Sequence, residues 1–464
     1  MPGLTDEIAR FIANASLQAM PEAVLGKAKK CVADTFGVMV AGAYSEVAPP
    51  VLRYLDNSGA QGTATVVGTA RRTSAEMAAL ANATFGHALD FDDVLSMMVA
   101  HPSSVIVGSL LGAASGKKIS GRQFLEAYIV GVEVGAKIGL GITVGHYGRG
   151  FHSQGTLCTF SALAGIAKLR ELDAATTQTA FGIASSMASG VRSNVGTMTK
   201  PLHAGWAARS AVAAADLARF GLTAAPDALE ASTGFFGAFG VETSDAGVTS
   251  RGLGNPWTIA DPGLAIKRFP CCHASHRAMD GLLTLRRKMN FTADTVKQVD
   301  CRYPPGGTTP IAGYPEPETG MQGKFSLQYS LAAGVLDGEY TLASFKDEAV
   351  LRQEIKPVLR KIRVTEEVRC GNNDPHLESR SFGSRGFVEV EVTMTDGRNE
   401  MIRVDHAPGH PRRELEWSEI QAKFMDCAST AGIDSNGAES AFRRLANLEE
   451  CNDIDEIAAC LNRR

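Results

Sequence analysis

The sequence predicts a mainly α protein: a large all-helical domain built from both chain ends, with a smaller α+β lid domain inserted between them. Three observations predict it. From residue 4 to about 240, apolar residues follow helical spacing and are punctuated by Gly, Pro and Ser. After residue 268 short β-rich runs alternate with helical stretches, and from Ser418 to the end the helical spacing resumes in QAKFMDCAST, ESAFRRLANL and IDEIAACLNR. The expected boundaries are therefore 1–268, 269–406 and 407–464.

In the first part, Thr73 with Glu76 three residues on forms a capping-box pattern, which starts a helix through Met77, Ala81, Phe85 and Ala88. Further helices are expected near 23–42, 104–116, 121–140, 156–171, 174–189 and 204–220. Their faces use many small residues, as in AVAAADLA, so that axes approach closely in a thick bundle. In the middle segment, Val296, Val299, Cys301 and Tyr303 sit among polar residues, and Ile362 to Val368 is β-rich. Phe387, Val388, Val390 and Val392 lead to Asp396-Gly397, a hairpin signal, with Met401, Ile402 and Val404 returning. Helices are expected there near 275–289, 325–336 and 342–356.

The 464 residues are 44% hydrophobic and 21% charged, which excludes a disordered or fibrous chain. The net charge of −4 comes without a basic block, so no nucleic acid partner is expected. Nine cysteines are scattered without a C-x-x-C pair, as in a reducing, cytoplasmic compartment. The opening MPGLTDEIARFIANAS has acids where a secretory signal needs an apolar core. The longest apolar tract, residues 124–142, is broken by Glu126, Glu133 and Lys137, so no membrane association is expected.

Five tracts collect reactive side chains. GHALDFDDVLSMMVAHPSS holds His87, Asp90, Asp92, Asp93 and His101 around a helix end. At i, i+3 in a helix, His87 and Asp90 share a face, which reads as an acid–base cluster or as helix capping around a core histidine. GITVGHYGRGFHSQGT is a glycine-rich connection that either places His152 near a substrate, before a helix whose exposed amides suit an anion, or is a surface loop with a structural histidine. It follows no predicted strand, so a dinucleotide-binding loop is a poor explanation. In NVGTMTKPLHAGWAARS, Lys200 and His203 stand at a helix start, where a lysine opposes the helix dipole unless a negative partner compensates. KRFPCCHASHRAMDG sets Cys271, Cys272, His273 and His276 at the domain junction. Adjacent cysteines fit poorly in one tetrahedral zinc site, so no metal is expected, and His276 fits acid–base or carboxylate-binding work better. KFSLQYSLAAGVLDG places Lys324 and Tyr329 at the opening of a helix, where Tyr329 alone reads as core.

In order, HALDFDD, HPSS, GFHSQGT, GTMTKPLHAG, RFPCCHASH and KFSLQYSLAAGVLDG resemble the MmgE/PrpD family, which includes 2-methylcitrate dehydratases, cis-aconitate decarboxylases and an iminodisuccinate epimerase. The resemblance spans most of the chain. It implies the helical domain with its inserted lid, a homodimer, and no metal or organic cofactor. Carried over residue by residue, the family's active-site positions fall on Asp90, His101, His152, Lys200, His276 and Tyr329, lining a cleft between bundle and lid. One departure stands out: Val94 follows DFDD where aconitate decarboxylases have threonine, and LSMMVA before His101 is apolar where they are polar. Val94, Met97 and Met98 therefore suggest a less polar wall, for a substrate with an alkyl branch or fewer carboxylates.

The chemistry expected of these residues is proton transfer at a carbon next to a carboxylate of a small di- or tricarboxylic acid. The carboxylate resists further negative charge, so cations must neutralise it first. Lys200 and a protonated His276 would bind carboxylates, and Tyr329 would donate a hydrogen bond as charge develops. His101, oriented by Asp90, would be the base or proton carrier, with His152 serving the opposite face. The expected enzyme is a lyase, by dehydration or decarboxylation. An epimerase using the same proton abstraction is the alternative, followed by a non-catalytic carboxylate-binding protein.

Overall fold

The computed structural model describes residues 3–371 and 382–462, and by internal contacts the chain forms two units. One contains the residues up to Ile266 together with those from Glu416 on; the other is Lys267–Leu415.

At the centre of the first unit are helices with no polar face. All twelve residues of Pro102–Ala113 are buried, as is everything from Met77 onward in Ala75–Ala88 and nearly all of Ser153–Leu169. Helices of this kind belong inside a bundle. Small residues permit it: a Cβ at Gly108 would come within 2.5 Å of the Ala83 amide nitrogen, and one at Gly205 would overlap the Thr84 hydroxyl. Gly121–Ile142 and Thr199–Arg219 pack around these three helices. Trp417–Thr430, from the end of the chain, packs on Glu22–Gly42 from its beginning.

The expectation of an all-helical large domain is corrected by a two-stranded antiparallel hairpin in this unit, Ala64–Thr65 with Arg72–Thr73. The described residues are mainly helical, at 55%, with this hairpin and a mixed four-stranded sheet. The strands of the hairpin are too short to show alternation. Buried Asn82 holds the hairpin to its helix by accepting from Val67 N at 2.9 Å and donating to Thr65 O at 2.9 Å. The following helix is capped by Ser74, which accepts from Met77 N at 3.4 Å, rather than by Thr73, which lies in the strand.

In the second unit the sheet order is Ile362–Glu366, Val296–Tyr303, Val388–Met394, Asn399–Val404. The first pair is parallel and the others antiparallel. A register shift between Val296 and Gln298 lets Val296 and Val299, three apart, both face the core. The hairpin turns at Asp396-Gly397, where Gly397 takes φ 91°. Helix His276–Met289 lies against the last two strands, with Gly281 close to Val390, Ile402 and Val404. The helix expected over 342–356 is instead three short turns, Leu342–Phe345, Asp347–Val350 and Ile355–Leu359, because Lys346 is extended at ψ 158°.

Candidate active site

The reactive residues of the first unit meet where Ala75–Ala88 ends. The helix stops one residue after His87, and Asp90 adopts φ 52°. This left-handed conformation is tolerated by Asp better than by most residues. It turns the Asp90 carboxylate to the Lys200 ammonium, with which it forms a short ion pair. Lys200 lies in the first turn of Thr199–Arg219, so the negative partner that its position calls for is Asp90 itself.

Lys200 also lies 3.0 Å from Nε2 of His87, and Nδ1 of His87 lies 2.9 Å from Asp92 Oδ2. An ammonium can only donate, so His87 accepts through Nε2 and donates its Nδ1 proton to Asp92. The helix has ended before Asp90, so His87 and Asp90 do not share its face at i, i+3 as expected. Asp92, five residues on, takes the ring instead.

His101 caps Pro102–Ala113 and donates from Nδ1 to the backbone carbonyl of Asp93 at 2.6 Å. Its Nε2 is 4.0 Å from Asp90 Oδ1, and its ring centroid is 4.7 Å from that of His87. Its backbone is fixed by Gln154, which accepts from His101 N at 2.8 Å and donates to His101 O at 2.9 Å. His152 precedes Ser153–Leu169, 6.3 Å ring to ring from His87. Its Nδ1 meets Nδ1 of His203 at 2.8 Å. Burial, then the charge of Lys200, holds His152 well below the usual imidazole range and His203 below it too.

Asp93 points away from this group. Its carboxyl accepts from the Ser103 hydroxyl, which also meets Tyr128 Oη at 2.6 Å. Burial pushes the Asp93 pKa up to about 8 against the lowering effect of the Ser103 bonds, with Asp92 and Asp34 adding to the rise.

His87, Asp90, Asp92 and His101 offer ligand atoms within 4.8 Å of one another, the spacing of a cation site. The Lys200 ammonium, bound to Asp90 and His87, supplies a positive charge at that place. In the Cys271-Cys272 tract, Cys271 Sγ packs 3.4 Å from Met279 Sδ and His276 Nε2 lies 3.3 Å from the Cys271 carbonyl.

Four of the expected site residues, Asp90, His101, His152 and Lys200, thus come together in the first unit. His276 and Tyr329 belong to the second. There His276 is fully buried at a helix start, its ring 5.2 Å from those of Phe269 and His273. Tyr329 donates to the Ser344 carbonyl, and burial raises its pKa. Met98, expected on a substrate wall, packs instead on the glycine face of Gly121–Ile142, where a Cβ at Gly135 would come within 3.3 Å of its Cε. The sequence names His87, Asp92 and His203 within its tracts but gives none of them a site role; for His203 the signal is its i, i+3 spacing from Lys200.

The MmgE/PrpD N-terminal domain model matches residues 6–245, and the MmgE/PrpD C-terminal domain model matches 269–447. The chain belongs to the MmgE/PrpD family. Similar family members include the mouse cis-aconitate decarboxylase, 27% identical over 98% of this chain and 93% of the relative. The human cis-aconitate decarboxylase is 27% identical over 99% and 95%, and that of Aspergillus terreus 27% over 99% and 96%. This MmgE/PrpD protein is an enzyme, a lyase. Among the described residues, no helix is long and apolar enough to cross a membrane.

Proposed function

We propose that the chain is a cofactor-independent decarboxylase of a small unsaturated tricarboxylic acid of the cis-aconitate type. The observation that carries the reading is the buried Lys200 ammonium set between Asp90 and His87, with the rings of His101 and His152 beside it. Replacing a carboxylate by hydrogen needs a cation to hold the remaining anionic groups and an acid to protonate carbon. Lys200 is the cation. His101, whose Nδ1 is held by the Asp93 carbonyl, turns its Nε2 toward the Asp90 side of the group, where it meets a second part of the substrate. His152, kept neutral by burial and by the charge of Lys200, delivers its Nε2 proton to carbon. The decarboxylases among the relatives support the choice over dehydration.

The test is a turnover screen of cis-aconitate, citrate, 2-methylcitrate and iminodisuccinate in deuterium oxide. Carbon dioxide release with one deuterium fixed in the product supports the reading. Water loss from a hydroxy acid would make the enzyme a dehydratase, and deuterium exchange without net product an epimerase. The same reading takes the enzyme to be a cytoplasmic homodimer. The nine cysteines form no disulfide, which fits a reducing compartment, and light scattering measures the assembly.

A further inference from the structure

Decarboxylation differs from elimination and epimerisation in its proton balance. An anion that loses carbon dioxide and gains hydrogen consumes one solvent proton per turnover, whereas the other two reactions consume none. A buried acid in a decarboxylase therefore has to be reloaded.

His152 is 3% exposed, and its Nδ1 is 2.8 Å from Nδ1 of His203, which is only half-buried. His203 stands on Thr199–Arg219 beside an exposed stretch that includes Ser189, Val191, Thr197 and Met198. Glycines make the place for its ring: Gly190 lies flat against it, 3.4 Å from Cγ to the position of a Cβ, and Gly155 is within 3.4 Å of its Cβ by the same measure. The Gly190 carbonyl also accepts from His152 N at 3.1 Å, so one segment positions both rings. With both Nδ1 atoms in the shared bond, each ring has its Nε2 for a second partner, and a proton can enter at one ring and leave at the other.

We propose that His203 is a proton-relay residue, passing a solvent proton to His152 as His152 protonates the substrate. The proposal rests on the decarboxylase reading. As the carbon–carbon bond breaks, carbon dioxide leaves and the bonding pair stays on the substrate. That pair takes the Nε2 proton of His152. The Nδ1 proton of His203 moves to Nδ1 of His152, and Nε2 of His203 takes a proton from water or buffer. Both rings stay neutral, each as its other tautomer, and one solvent proton is consumed. Once water replaces product, His152 Nε2 takes a proton from it, the Nδ1 proton returns to His203 and His203 Nε2 releases one to solvent, which restores the pair with no net change. The lowered affinity of both rings for a resting proton fits a pair that conducts protons rather than storing them.

The experiment measures carbon dioxide release from cis-aconitate by the wild type, His203→Ala and His203→Asn, with and without added imidazole. Asn keeps a hydrogen-bonding group near His152 and has no second ring nitrogen to pass a proton. Both variants are expected to lose kcat by roughly a hundredfold with KM little changed, and imidazole is expected to restore it in proportion to its concentration. A His203→Asn enzyme with wild-type kcat, or a loss that imidazole leaves untouched, overturns the relay. In the wild type, rates in mixtures of light and heavy water are expected to curve with deuterium content because more than one proton moves in the step. A straight line overturns the relay even if both variants misfold. A wild type that releases no carbon dioxide removes the decarboxylase reading and the relay with it, whereas release unaffected by the variants removes the relay alone.

Discussion

Lys200 and Asp90, 110 residues apart, form an ion pair whose side chains are 6% and 5% exposed. A buried pair loses hydration on both sides, and its cost is recovered only where further polar groups complete the shell, as His87 does here. Lys200→Met leaves Asp90 buried beside His101 and removes the cation that the reaction needs. The expected loss in kcat/KM is about a thousandfold, with measurable destabilisation. Asp90→Asn should lower activity but cost less stability, since it leaves a neutral amide beside the ammonium. Steady-state kinetics and chemical denaturation of both variants and their double mutant check this, and equal stability losses would contradict it.

His87 touches Lys200 through Nε2 and Asp92 through Nδ1, so it fixes where the ammonium points. His87→Gln keeps an acceptor toward Lys200 but cannot also reach Asp92 as the ring does. An orienting residue of this kind is worth about tenfold to a hundredfold in activity. The variant should lose that much kcat and remain folded. Kinetics that match the wild type would show that Asp90 alone positions Lys200.

Much of this site was legible because acids and imidazoles interrupt Ala-rich helices. HALDFDD and HPSS stand out for that reason, and Lys200 stands out because a lysine in a first helical turn asks for an anion. The partners were harder to read. Helical spacing pairs His87 with Asp90, but the helix ends at Ala88 and the left-handed Asp90 sends its carboxylate to a lysine over a hundred positions away. The hairpin at Ala64–Thr65 and Arg72–Thr73 has no period to detect in two-residue strands. Met98 is expected on a substrate wall, yet the glycines of a neighbouring helix open a slot for it.

Asp93 gives a pH dependence whose sign is fixed by its surroundings. Its folded-state pKa of about 8 lies above the unfolded value of 3.8. Its contribution to stability is therefore full below about pH 3.8 and is lost as the pH rises toward 8, because the unfolded chain releases the proton first. Asp93→Asn removes this slope while keeping an acceptor for Ser103. Thermal unfolding between pH 5 and 9, values chosen to span about one pKa unit beyond the folded midpoint, should show the variant gaining on the wild type as the pH rises, then levelling off above that midpoint. A constant difference across the range would mean that Asp93 is already ionised in the folded protein.

Lys423 reaches the same loop from the last part of the chain. Its Nζ is 2.7 Å from Asp34 Oδ1, donates to the Phe91 carbonyl at 2.8 Å, and lies 3.7 Å from the centre of the Phe91 ring. Both ion-pair side chains are nearly fully buried, at 2% and 1% exposure. Phe91 sits between Asp90 and Asp92, so this ammonium holds from behind the loop that presents both carboxylates to Lys200 and His87. Lys423→Met should destabilise the protein by about 3–5 kcal/mol, since it strands the Asp34 charge in the interior. Adding Asp34→Leu should return most of that stability, because the pair is then replaced by apolar groups. Activity should not return with it, because the Phe91 carbonyl still lacks its donor and the loop is no longer fixed. Denaturation midpoints and kcat for the single and double variants separate the two effects. Recovery of both together would show that Lys423 serves stability alone.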